Sequence, residues 1–382
     1  MQKIRNINLT TSINSLGYGI VGLNTLLALN ELGCKTALWS IGAVEYPRDK
    51  TDGVNAALDA ALSYDREAPS IRISPHINLA QHVGKGVHAA ISYFERDRLH
   101  AYEIKQLQNQ DVVIASSEWM RKLLAKQIRG PKLAIARPGV DPALFHPYVL
   151  DFHTEEARRA LPYGCETIIG NNPAALATGS TVFLVVGKWE IRKGHDVLAS
   201  LFSRAFTERD NFKLILVTVN PFLSQAEHDA WAGQFAMFGD KVEIHHSRLP
   251  DQASLARIMA QADCGVFLSR AEGWNLDAAE MLAMGKHILI TNFSAHTEFA
   301  TPQNAWLVDI DELEPCFDGK WFNGFGCWAK IGQPQQDQAI SHLRAIHHRK
   351  QLGQLDTNWP GIETMKQFTW KSFAQSVLDA VS

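Results

Sequence analysis

The sequence predicts an α/β protein built from two Rossmann-like domains, and three observations carry that reading. Short β-rich runs alternate with amphipathic helical stretches, and the alternation runs twice along the chain. In each half an early strand leads into a turn containing glycine and then a helix. The length of 382 residues exceeds a single domain of roughly 100 to 200 residues.

The strands of the first half are expected near Ile4 to Leu9, Lys35 to Ser40, Ser70 to Ser74, Val87 to Phe94, Asp111 to Ala115 and Leu133 to Ala136. Those of the second half are expected near Val182 to Val186, Lys213 to Thr218, Lys241 to His245, Cys264 to Leu268, His287 to Thr291 and Trp306 to Val308. A first Rossmann-like domain over 1–150 is followed by an interdomain connection over 151–180, where DFHTEEARRA gives way to GNNPAALATGS. The second domain occupies 181–358. It carries an insertion near 314–355, where KWFNGFGCW and a polar helical stretch ending in HLRAIHHRKQL break the alternation. The closing segment, 359–382, has helical periodicity and is expected to pack across the domains.

Composition narrows the function. A hydrophobic share of 46% and a charged share of 20% exclude disorder and a charged coiled coil, and a net charge of −3 provides no global field for nucleic acid or anionic lipid. Five scattered cysteines without a C-x-x-C pair argue against a disulfide framework or structural zinc. With no long apolar run and a polar N-terminus, the expected location is cytoplasmic.

Three segments carry chemistry. In SLGYGIVG, Gly17, Gly19 and Gly22 match G-x-G-x-x-G between a strand and a helix. Small residues let backbone approach a phosphate at a helix N-terminus. The second strand, KTALWS, ends without the acid that a dinucleotide ribose needs, so a phosphate- or acceptor-facing loop is preferred over an NAD site, with a plain tight turn as the structural alternative. In FLVVGKWEIRKGHDVL, a buried strand runs into Lys188, Arg192 and Lys193, cations placed for a pyrophosphate. The alternative there is a solvated basic turn. In SRAEGWNLDAAEMLAMG, Glu272 and Glu280 stand eight positions apart around a loop and helix start, with the N–H groups of Trp274, Asn275 and Leu276 positioned for a phosphate or sugar oxygen. An ionised Glu280 can accept both hydrogen bonds of a ribose diol, although either acid also suits a helix N-terminus.

These segments, with ARPGVDPALFHP between the first and second, resemble the motifs of GT-B fold retaining glycosyltransferases of glycosyltransferase family 4, the glycosyl transferases group 1. The resemblance covers nearly the whole chain, and ISYFERDRLH resembles a form found in one branch of the family. It implies two Rossmann-like domains facing each other across a cleft, with a hexose moving from a UDP- or GDP-sugar to an acceptor hydroxyl. It also implies Lys188 and Lys193 on the diphosphate, Glu272 and Gly273 at the sugar, Glu280 at the ribose, and Arg248 and Leu249 of HSRLP near the base. Gly17 and Gly19 complete the donor side. Lys188 stands where Arg is frequent, and Asn275 replaces a common loop glycine. The family's frequent first-domain His is replaced by Glu95, with His76 as a second candidate for sugar or acceptor contact. A noncatalytic sugar-nucleotide binder and an NAD-dependent oxidoreductase are the alternative functions.

No cofactor beyond the nucleotide-sugar co-substrate is expected. The D-x-D pair Asp309 and Asp311 falls after the phosphate signals, so a metal role is not assigned to it. The acceptor stays open among a saccharide, a lipid-linked saccharide, a small molecule and a modified nucleic-acid base. From Ser117 to Arg137, six Lys or Arg face one acid, Glu118, beside an apolar stripe. That pattern suits either a Rossmann helix with a wet basic face or peripheral docking on acidic lipid.

Overall fold

The structure, a computed structural model, describes residues 6–46, 50–147 and 179–382. The expected connection therefore lies, apart from Gly179 and Ser180, outside the described residues. By packing, the chain divides into one unit of Met1–Asp141, Glu272–Leu276 and Gln367–Ser382, and another of Pro142–Ala271 and Asp277–Lys366.

The first unit is built on a six-stranded parallel sheet of β1 (Asn6–Thr11), β2 (Lys35–Ser40), β3 (Ser70–Ile73), β4 (His88–Ile91), β5 (Val112–Ala115) and β6 (Lys132–Ile135), in the order β2-β1-β3-β4-β5-β6. The central strands are buried on both faces because helices cover both, although β3 places Ser70 and Arg72 on one of them. Helices α1 (Gly17–Glu31), α2 (Thr51–Ala60), α3 (Ala101–Gln108) and α4 (Glu118–Gln127) connect them. The fourth strand ends three residues earlier than expected. The Tyr93 N–H donates to the Tyr18 hydroxyl, at 3.1 Å, and Ser92–Glu95 becomes a loop beyond the strand.

The second unit repeats the plan with β7 (Thr181–Val186), β8 (Phe212–Val217), β9 (Val242–His245), β10 (Cys264–Phe267), β11 (His287–Asn292) and β12 (Trp306–Asp309), in the order β12-β11-β10-β7-β8-β9. Its helices include α5 (His195–Ala205), α6 (Gln225–Gly233), α7 (Gln252–Gln261) and α8 (Leu276–Ala283). All twelve expected strands are present, shifted by a few residues at most. Residues 313–351 form an antiparallel hairpin, β13 (Leu313–Phe317) and β14 (Asn323–Ala329), followed by α9 (Gln333–Gln351).

The closing segment divides. Helix α10 (Trp359–Met365) is held in the second unit, where Asn358 donates to the carbonyls of Asn304 and Lys286. Helix α11 (Trp370–Val381) is capped by Thr369, whose hydroxyl accepts from Ser372 N at 3.0 Å. It buries Trp370, Phe373, Ala374, Val377 and Val381, a helical-period stripe, in the first unit's core against α1. Gly139 admits this chain, since any Cβ there would collide with the Thr369–Trp370 backbone.

Candidate active site

In an open parallel sheet, ligands bind beyond the carboxyl ends of the strands, where the strand order reverses. That switch point lies between β1 and β3 in the first unit and between β7 and β10 in the second. The sequence motifs fall beside both.

In the first unit, the glycine motif opens α1 directly after β1. A Cβ on Gly19 would collide with Asn14, and one on Gly22 with Ser12 and Thr11, so these two glycines seat the helix against the strand end. Gly17 has open space around its Cα and is the one left exposed. Tyr18, between them, is a residue that the sequence reading passed over. Its hydroxyl lies 3.4 Å from Ser92 Oγ and accepts from Tyr93 N, and its ring meets Tyr93 edge-on at 5.3 Å. Burial, followed by the negative charge of Glu95, pushes its pKa up to about 12 against the hydrogen bonds from Ser92 and Tyr93. Glu95 is half-buried in the loop after β4.

His76 follows β3 but is turned onto a buried acid. Its Nε2 lies 2.8 Å from Glu103 Oε1, and its ring stacks on Phe94. Glu103 also accepts from Arg96 and from the His100 N–H. Burial opposes its ionisation, yet the His76 and His100 hydrogen bonds with the charges of His76 and Arg96 hold its pKa down at about 2. This pairing gives His76 a structural partner, the commoner role for a lone histidine. His82 and His88, which share no helical face in sequence, stack at 4.0 Å with their planes 2° apart.

The segment Glu272–Leu276 belongs to this unit. Ser116 Oγ donates to the Gly273 carbonyl, Trp274 packs its ring on Phe368 at 5.5 Å, and Leu276 packs against the core. A Cβ on Gly273 would run into Tyr93, so only glycine fits there. Glu272, Trp274 and Asn275 are buried. Asn275 has φ 89°, the left-handed region that an ordinary side chain avoids, which accounts for glycine being common at this loop position. Such strain concentrates at functional sites.

In the second unit, the basic turn follows β7. Gly187, at φ 124°, lies under the Lys193 side chain, and Gly194, at φ 74°, packs so closely on the Leu268 carbonyl that a Cβ would collide with it. The turn is tied to the chain beyond β10 by hydrogen bonds from Arg270 N to the Arg192 carbonyl, from Arg192 Nη1 to the Ala271 carbonyl at 2.9 Å, and from Arg270 Nη1 to the Ile191 carbonyl. Arg270 further pairs with Asp196 and with Glu314 of the hairpin, each at 2.8 Å. Inside the turn, buried Glu190 meets Lys188 at 2.9 Å and Arg192 at 2.7 Å. Burial raises its pKa, but the cations Arg192, Lys188 and Lys193 prevail and bring it to about 2. Lys188 also lies over the Phe222 ring, 5.2 Å from its centroid. The turn is thus a partly neutralised cationic cradle, with a surplus of positive charge for an anion.

Arg248, exposed, and Leu249, half-buried, follow β9 on the same carboxyl edge, and Glu280 is buried on α8. The structure therefore brings Lys188 and Lys193 together in the second unit, and Gly17, Gly19, Glu95 and Gly273 with its neighbours in the first. Asp309 and Asp311 accept hydrogen bonds from the amides of Asn292, Gln338 and Gln335 on the far side of the sheet order, beyond β12. Among the described residues, no group of three or more His, Cys, Asp or Glu is placed to hold a metal ion. On α4, Met120, Leu123 and Leu124 are buried and Trp119 packs against the core, so the apolar stripe is used within the unit; Arg121 pairs with Glu118. No described helix is long and apolar enough to cross a membrane.

The two parallel six-stranded α/β sheets with these switch-point loops define the GT-B fold class of glycosyltransferases. Residues 180–316 match the family model described as glycosyl transferases group 1. Over 207 residues it is 26% identical to the GDP-mannose:cellobiosyl-diphosphopolyprenol alpha-mannosyltransferase of Xanthomonas campestris, a match covering 54% of this chain and 47% of that one, so the matched segment spans about half the relative's length. Among solved structures, it is similar to sucrose-phosphate synthase from Thermosynechococcus elongatus, with a TM-score of 0.66, 16% identity and 98% and 97% of the two chains covered. It is also similar to Anabaena HepE in complex with UDP-glucose, with a TM-score of 0.66, 14% identity and 98% of each chain covered.

Proposed function

We propose that the protein transfers a hexose from a UDP- or GDP-sugar to an acceptor hydroxyl with retention of anomeric configuration. The observation that carries this reading is the cationic turn at the second sheet's switch point, interlocked with the chain that leads into Glu272. In this reading Lys188 and Lys193 hold the diphosphate and stabilise the charge that develops on it as the glycosidic bond breaks. Glu272 and the Gly273–Leu276 backbone hold the sugar, Glu280 the ribose, and Arg248 and Leu249 flank the base. Gly17 and Gly19 complete the donor side, while Glu95, beside Tyr18, faces the sugar or acceptor. His76 keeps its fallback place there, through the Glu103 pair. The leaving diphosphate remains beside the attacking hydroxyl and helps to take its proton, so the protein provides position and electrostatics rather than a covalent nucleophile.

The Xanthomonas relative is named for GDP-mannose and the Anabaena structure holds UDP-glucose, so both donors belong in the test. The experiment is incubation with UDP-, GDP- and ADP-sugars and a panel of hydroxyl acceptors, read by anomeric NMR. An axial product from an axial donor is expected, and an equatorial product would overturn the mechanism. Lys193→Ala and Glu272→Ala should depress kcat, while Glu280→Ala should chiefly raise the donor KM, because ribose contacts persist unchanged into the transition state.

A further inference from the structure

We propose that Arg72 is the base of an internal anion site, roofed by the chain over 75–87, and that its occupant is a small monovalent anion of the halide class. The site lies on the face of the first sheet away from the glycine motif, and it stands whether or not the transfer reading holds.

Arg72 is the third residue of β3, and the register of the sheet fixes its company. Paired residues of a parallel sheet share a face, as do residues two apart along a strand, so Thr10 and Trp39 share the row of Arg72, while Asn8, Ser70 and His88 occupy the row two residues earlier. The opposite face carries Ile7, Leu9, Ile71, Ile73 and Ile91 and packs with α1 and α11. Strands buried on both faces are normally apolar throughout, and here one face is polar.

Arg72 is only 3% exposed, yet no carboxylate among the described residues pairs with it. Its Nε donates to the Asn78 carbonyl at 2.6 Å and its Nη1 to the Gln81 carbonyl at 3.2 Å, and the rest of the guanidinium finds no acceptor among the described residues. Burial pulls its pKa down, with no negative charge acting against that shift. His82, in the roof, stacks on His88 and feels the charge of Arg72. On this face and in its roof, Asn8 Oδ1, Thr10 Oγ1, Trp39 Nε1, both ring nitrogens of His82, His88 Nε2 and Gln110 Oε1 are buried without a well-formed hydrogen bond to any described residue. Orphans of this kind are rare in folded proteins and call for a partner.

The occupant follows from charge and space. Water can complete the hydrogen bonds of the orphaned atoms, but it cannot neutralise a guanidinium held out of solvent, and buried charges are paired in folded proteins. His82 is neutral at pH 7, its pKa lowered to about 4 chiefly by burial, so the charge to balance is that of Arg72, and a monovalent anion balances it. The free guanidinium N–H groups and the N–H of the His82 ring are its donors. The roof is bonded down: Asn78 and Gln81 hold Arg72, Val83 N donates to Ser70 Oγ at 3.3 Å, and Leu79 donates to Gln106 Oε1 and accepts from Gln110. A chain tied this closely to the strand beneath it suits a small ion rather than a sugar phosphate.

The test is melting of the full-length protein at fixed ionic strength, with chloride replacing gluconate, a monovalent anion too large for the site. Once chloride exceeds its Kd, each tenfold rise should add about 3 to 6 °C to the melting temperature of the first unit, and hydrogen exchange should slow in β3 and over 78–83. Arg72→Met should lose this chloride dependence. Diffraction from wild-type crystals soaked in bromide, which needs no variant, should place an anomalous peak against the guanidinium. A chloride effect no larger in the wild type than in Arg72→Met overturns the site, and so does an Arg72-dependent preference for sulfate over chloride, because it breaks the charge balance. A bromide peak at Arg72 without chloride-dependent melting is an adventitious ion only and overturns the site as well. If Arg72→Met does not fold, the wild-type bromide position and the exchange over 78–83 decide the matter, and absence of either effect overturns the site. Transfer is read in none of these measurements, so failure of the site and failure of the transfer reading are separate results.

Discussion

Glu190→Gln is the sharpest test of how the cationic turn is held. In the native protein this carboxylate is buried between Lys188 and Arg192, and those cations with Lys193 outweigh the burial cost and lower its pKa from 4.5 to about 2. At about 1.4 kcal/mol for each tenfold change in acidity, that drop corresponds to about 3 kcal/mol of stabilisation by the ionised form. The folded-state pKa lies below the unfolded value, so the contribution is complete above pH 4.5 and is lost as the pH falls towards 2. At pH 3 about 1.4 kcal/mol should remain. Glutamine keeps the shape and one acceptor oxygen but not the charge. Urea unfolding of the wild type and Glu190→Gln should differ by up to about 3 kcal/mol at pH 7, and the gap should shrink by about 2 kcal/mol at pH 3. Equal midpoints at pH 7, or a gap that does not change with pH, would refute the argument that ion pairing inside the turn holds it together.

The first unit should lose stability on mild acidification, because burial, with help from His88 and Arg72, lowers the His82 pKa from 6.5 to about 4. The unfolded chain then takes up a proton that the folded one refuses, so stability falls between pH 6.5 and 4, by about 1 to 2 kcal/mol once solvent screening of this half-buried ring is discounted; hydrogen exchange of the β4 amides measures it, and a flat profile counts against a buried neutral His82. Gly273→Ala should cost about 1 to 3 kcal/mol by forcing Tyr93 aside, seen as a lower melting temperature, and a neutral result would mean that the loop can retreat. Arg270→Met should raise the donor KM more than it lowers kcat, because it unties the turn from the hairpin without removing a contact to the donor, and a fall in kcat alone would contradict that positioning role.

The twelve strands were legible because strands of a parallel sheet, buried on both faces, read as continuous apolar runs such as TVFLVV and HILITN. The places of the glycine motif and the basic turn were legible too, since each follows the first strand of its half, but the strand order that makes them switch points was not. Legibility ended where a charge met its partner across long stretches of chain. Nothing local pairs Arg270 with Asp196 and Glu314, or His76 with Glu103. Glu190 was in view within GKWEIRKG, but a sequence cannot say that the acid points inward between two cations.

That inward acid changes what the turn can do. A row of unopposed cations would bind any anion and would also repel itself in the empty protein. With Glu190 between them, Lys188 and Arg192 are held at fixed positions, and Arg192 is committed to the carbonyl of Ala271, leading towards Glu272. In the proposed reading an arriving diphosphate would compete with Glu190 for Lys188, whose ammonium lies between that carboxylate and the Phe222 ring. Lys188 is therefore the cation free to change partner, and Arg192 is the fixed one. On this account Lys188→Ala should weaken nucleoside diphosphate binding with little loss of stability, because the lysine is one-third exposed and Glu190 keeps Arg192. Arg192→Ala should instead unfold the turn, because it leaves Glu190 buried with one remaining partner and strips the Ala271 carbonyl of its donor. Calorimetric titration with UDP and GDP, alongside thermal melting of both variants, separates the two roles, and a Lys188→Ala protein that melts as early as Arg192→Ala would show that the cations are a single structural cluster.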